Sequence, residues 1–117
     1  MKTLLASLLA LVVLGAPLPA LAWEPGDELA TMLVCSTSAA ATTVVTAAEK
    51  SGDEATAEMQ NFLAAGICWL TNGWPVILVE ELHETVDYDG DMVAVWSVKF
   101  VEGDGSLFYL WLISLQA

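Results

Sequence analysis

Residues 76–113 read VILVEELHETVDYDGDMVAVWSVKFVEGDGSLFYLWLI, and the period of this stretch decides the fold. β-Branched and aromatic side chains dominate three runs, 76–86, 92–102 and 107–113, as expected of strands. Asp89-Gly90 separates the first two runs and Gly103-Asp104-Gly105 the last two, and both sequences favour chain reversal. The three strands therefore form an antiparallel meander. In the middle run Met92, Ala94, Trp96, Val98 and Phe100 share one side, while Val93, Val95 and Val101 share the other with Ser97 and Lys99. In the last run Leu107, Tyr109, Trp111 and Ile113 lie opposite Phe108, Leu110 and Leu112. Both faces of this sheet are apolar, so both require cover.

Toward the N-terminus the composition turns to alanine. Ser36, Thr37 and Ser38 offer N-caps for a helix over 38–50, with Ala40, Ala41, Val44, Val45 and Ala48 as its inner stripe. Ser51 and Glu54 have capping-box spacing, and Asp53 and Glu54 suit the positive start of a second helix running to about residue 65. Met59, Phe62 and Leu63 form the apolar face of that helix, and Gly66 is a natural stop. Residues 29–35 fit two readings. Leu29, Met32 and Leu33 have helical spacing, while Met32-Leu33-Val34-Cys35 suits a short buried strand. The expected fold is α+β, a two-helix hairpin packed on a small antiparallel meander of three to four strands, forming one domain over residues 23–117. Two helices cover one sheet face. The other is left to barrel-like curling, to a strand from 29–35, to a partner chain or to a ligand, with cover from within the chain expected first and self-association next.

The opening residues read as an export address. Lys2 precedes an apolar run over 4–14, and Ala20-Leu21-Ala22 places small residues where a signal peptidase cuts. A cleaved secretory signal peptide over 1–22 is expected, with Trp23 as the first mature residue. A helix over 3–14 would cover only about 18 Å of a hydrocarbon layer roughly 30 Å thick. Gly15, Pro17 and Pro19 oppose its extension, so no integral membrane segment is expected after cleavage. A periplasmic or secreted location follows, in which Cys35 and Cys68 have one possible internal pairing. Such a disulfide closes a loop of roughly 33 residues and stabilises the fold by about 3–4 kcal/mol. The close spacing typical of redox-active cysteine pairs is absent.

Beyond residue 22, Lys50 and Lys99 stand against fifteen carboxylates, a net charge of −13 with His83 neutral, and arginine is absent from the whole chain. That balance excludes nucleic-acid binding and attraction to anionic lipid, both of which depend on cationic side chains. Dispersion in solution is the reading favoured for this charge, and electrostatic steering toward a basic partner is the alternative.

Signals for chemistry are sparse. His83 lies among Glu80, Glu81 and Glu84, and on a regular strand Glu81 and His83 would point the same way, as in the beginning of a metal site or an oriented base. Nothing in the sequence completes a three-ligand site, and no serine occupies a Gly-x-Ser-x-Gly elbow. Asp87-Tyr88-Asp89-Gly90-Asp91 superficially resembles a calcium loop. An EF-hand register starting at Asp87 puts Met92 at the glycine position and Val98 at the terminal acid, so the segment reads as a hairpin turn. No metal or cofactor is expected. Trp96 and Trp111 fall within strands and suit core packing, whereas Trp69 and Trp74 flank the turn-like Thr71-Asn72-Gly73 and are the candidate recognition patch. The expected function is that of an exported, acidic, non-enzymatic binding protein acting on a protein partner or on a second copy of itself. The alternatives are an inhibitor of a basic enzyme and a small hydrolase or metal-dependent enzyme using His83.

Overall fold

The computed structural model describes residues 23–114; the expected signal segment over 1–22 lies outside them. In chain order the elements are β1 (Glu28–Cys35), α1 (Ser38–Ala48), α2 (Gly52–Ala64), β2 (Cys68–Val86), β3 (Met92–Phe100) and β4 (Phe108–Ser114). The fold is α+β, a helical hairpin on four antiparallel strands with one disulfide. Among the described residues no helix is long and apolar enough to cross a membrane.

The strands run in the order β1-β2-β3-β4, and the sheet closes into a barrel where Cys35 of β1 meets Tyr109 of β4. Closure gives each apolar face its own cover. Val34, Val76, Leu78, Ala94, Trp96, Val98 and Leu110 fill the interior. On the outside, Val93 and Val95 of β3, with Tyr109 and Trp111 of β4, pack beneath Ala41 and Val45 of α1. The alternation read over 92–101 and 107–113 thus separates barrel lining from helix seat.

Residues 29–35 resolve as strand. They pair with β2 from Glu28 opposite Ile77 to Cys35 opposite Cys68, supplying the fourth stave. A continuous helix is blocked just after them. Thr37 is extended at φ −129° and its hydroxyl accepts from the Ala40 N–H at 3.1 Å, so α1 starts at Ser38.

In α2 the cap is half of the expected box. The Ser51 hydroxyl accepts from the Glu54 N–H at 3.1 Å, but the Ser51 N–H donates to the Ala47 carbonyl at 3.2 Å, which replaces the reciprocal bond to Glu54. Ser51→Ala is therefore expected to cost about 1 kcal/mol, measured by urea unfolding, and Glu54→Ala to cost less. At the other end Gly66, at φ +75°, directs its N–H to Leu63 and the Ile67 N–H to Phe62, the paired bonds of a Schellman stop.

Strand β2 departs most from expectation. It begins at Cys68, and Thr71-Asn72-Gly73, expected as a turn, is a bulge within it. Thr31 pairs with Trp74 and Leu33 with Leu70, so these three residues face Met32 alone. Asn72 at φ 57° and Gly73 at φ +83° do adopt the left-handed conformations their sequence favours. Pairing with β1 on both sides nevertheless keeps the chain in the ladder, and buried Thr71 fixes the bulge by donating its hydroxyl to the Thr31 carbonyl. Two further register shifts, between Leu78 and Glu80 and between Glu81 and His83, bend β2 so that its first half serves β1 and its second half serves β3.

Candidate functional site

The bulge brings the two predicted tryptophans into one aromatic row at the end of the barrel that carries the β3–β4 loop. Trp69 meets Phe108 edge-on with centroids 5.5 Å apart, Phe108 lies 5.0 Å from Phe100, and Phe100 meets Trp74 at 5.6 Å and 73°. These separations suit edge-to-face and tilted packing, in which the positive edge of one ring approaches the negative face of another. Trp69 is partly buried against the barrel core, and because residues 71–73 lie within β2 the expectation that it flanks a turn is corrected. Trp74 is 54% exposed and is the more exposed of the pair. Phe100 and Phe108 were missed from sequence. Their signal was the alternation that puts both on the inner face, together with their position at the two ends of the 101–107 loop.

Trp74, Pro75, Phe100, Glu102 and Gly103 line an open cleft of about 390 Å³ at this rim. Backbone chemistry shapes its floor. The Gly103 N–H donates to the Phe100 carbonyl at 3.3 Å, and a Cβ on Gly103 would lie 3.1 Å from the Phe100 Cβ, so glycine allows the loop to fold closely over the ring. Farther along the loop, hydrogen bonding from the Ser106 side chain, and then from its N–H at 2.9 Å, holds the Asp104 carboxyl below its ordinary range. The rim therefore combines aromatic and carboxylate groups. Lys99 lies on the opposite face of the sheet from Phe100, by strand alternation.

The alternative site at His83, with Glu81 beside it on one face, does not assemble. Glu81 pairs with Trp96, an interior residue, whereas His83 pairs with Val95, which faces the helices. Cross-strand partners share a face, so the register shift at Leu82 puts Glu81 and His83 on opposite sides of the sheet. The His83 Nε2 is buried and has no hydrogen-bond partner among the described residues, leaving it without an orienting carboxylate. In the β2–β3 turn one Asp87 carboxylate oxygen accepts from the N–H groups of Asp89 and Asp91, both at 2.9 Å. That oxygen closes the turn. Among the described residues no cluster of three or more His, Cys, Asp or Glu side chains is placed to hold a metal ion.

Cys35 and Cys68 form the expected disulfide across the paired ends of β1 and β2, fully buried with Ala40 beneath Phe62, Leu63, Ile67 and Trp111. Its chemistry is structural, because no solvent reaches the sulfur pair for exchange. Comparison with protein-family models, with curated proteins and with solved structures finds no match.

Proposed function

We propose that the chain is an exported, non-enzymatic, acidic binding protein that holds a protein partner at the Trp74 cleft, in the periplasm or outside the cell. The observation that carries this reading is the Trp74 ring, exposed over half its surface yet anchored on Phe100 and, through Phe108, on the barrel core. An indole fixed in this way presents a large contact area with little left to order on binding. Such rigid aromatic anchors tend to dominate interface energies. The disulfide supports the compartment, since bonds of this kind persist where the environment is oxidising. The reading through His83 has less support, because Glu81 lies across the sheet from it.

The test is capture from the host's exported fraction with the wild-type chain and with Trp74→Ala. Loss of an anchor of this type costs about 2 kcal/mol, so affinity for the captured partner is expected to fall by roughly thirtyfold while the circular dichroism spectrum stays unchanged. Equal capture by the two proteins would overturn the assignment of the cleft. Self-association through exposed Met32 and Leu70, on the paired strands β1 and β2, would instead appear as a dimer in light scattering.

A further inference from the structure

Resting on the assignment of the cleft as the binding site, we propose that it receives a cationic side chain, arginine or lysine, from a basic partner protein. Trp74 and Phe100 supply aromatic ring surface, and Glu102 supplies a full negative charge to the same lining. A neutral apolar side chain would use the rings but gain nothing from the exposed Glu102 carboxylate beside them. An anionic side chain would be repelled. A guanidinium or ammonium satisfies both components, because its flat or apolar portion lies on a ring and its N–H groups reach the carboxylate. At about 390 Å³ the cleft is near the small end of ligand sites, which suits one inserted side chain.

Charge complementarity extends beyond the cleft. The mature chain has no arginine and only two lysines against fifteen carboxylates, so its long-range field draws in a cationic protein and repels other acidic ones. The Asp104 carboxylate, which accepts from the Ser106 N–H, adds to that field from the same loop. The acidic surface governs encounter, and the aromatic cleft gives the encounter a fixed end point.

The probes are tetra-arginine and tetra-lysine peptides, with tetra-glutamine as the neutral comparison, titrated by calorimetry into the protein produced from its full-length sequence. The variants are Trp74→Ala, Trp74→Phe, Glu102→Gln and, as a charge control, Glu80→Gln on the remote half of β2. The cationic peptides are expected to bind and tetra-glutamine to show no heat. Trp74→Ala should weaken cationic binding about tenfold, with Trp74→Phe recovering most of the loss. Glu102→Gln should weaken it several times more than Glu80→Gln, and higher salt should weaken it throughout. Equal losses from Glu102→Gln and Glu80→Gln would mean diffuse attraction and would overturn the inference, as would binding indifferent to Trp74. If cationic peptides fail to bind while Trp74→Ala still abolishes capture of the native partner, the cation is wrong and the cleft assignment stands. If capture is also indifferent to Trp74, both fall.

Discussion

Replacing Cys35 and Cys68 together by alanine, which leaves no free thiol, is expected to lower the unfolding free energy by about 3–4 kcal/mol. The chain-entropy contribution follows from the 33-residue separation of the two cysteines. For a chain of this size that loss shifts the thermal midpoint downward by about 15–30 °C. It is also a large share of the roughly 5–15 kcal/mol that holds a typical native protein together. The position of the bond adds a local effect. Cys35 pairs with Cys68 on one side and with Tyr109 on the other, so the disulfide sits where β1 meets β4 and the barrel shuts. Beyond this point the two strands separate around a cleft of about 260 Å³ lined by residues including Leu33, Met59, Leu110 and Trp111. Without the covalent tie the seam should open before the rest of the sheet. Hydrogen exchange in the variant is therefore expected to accelerate first at the amides of positions 35 and 109, with those of Val95 and Trp96 protected longest. A loss below about 1 kcal/mol, or uniform acceleration across the barrel, would contradict the role of the disulfide as the clasp of the seam.

The parts of this architecture that were legible in sequence are those fixed by local periodicity. Alternation over Met92–Phe100 sorted interior from exterior side chains because a strand has a two-residue repeat and the structure keeps that repeat unbroken along β3. The helix ends at Ser51 and Gly66 were legible for a similar reason, since capping is satisfied within a few residues. β2 was legible only in its second half. Its three register shifts depend on what β1 and β3 offer across the ladder, and no residue of β2 alone specifies them. That explains both site corrections. Asn72-Gly73 carried a sound turn signal, yet β1 pairs on either side of it. Glu81 and His83 had same-face spacing, yet Leu82 is the extra residue that breaks it. The Trp74 cleft needed the same long-range information, because Phe100 and Glu102 reach Trp74 only after β3 has paired with β2.

Trp96 shows how the barrel interior sets its own tolerance. Its ring is 2% exposed among Val34, Val76, Leu78, Val98 and Leu110, and its Nε1–H has no hydrogen-bond partner among the described residues. Trp96→Ala removes the largest side chain of the interior from a strand held in its ladders by β2 and β4 on either side, which limits collapse into the gap. A loss of about 3–5 kcal/mol is expected, close to the limit at which a small domain unfolds. Trp96→Phe should behave differently. It gives up part of the buried area, but it also removes a donor whose desolvation without a partner costs about 1–3 kcal/mol, and these contributions oppose one another. The expected net loss is about 1 kcal/mol or less, read from urea unfolding followed by circular dichroism so that the change in tryptophan content does not affect the signal. If Phe proved as damaging as Ala, the indole N–H would have to contribute favourably to the native state. With a small Phe cost and a large Ala cost, the ring volume alone accounts for why tryptophan is used to fill the barrel.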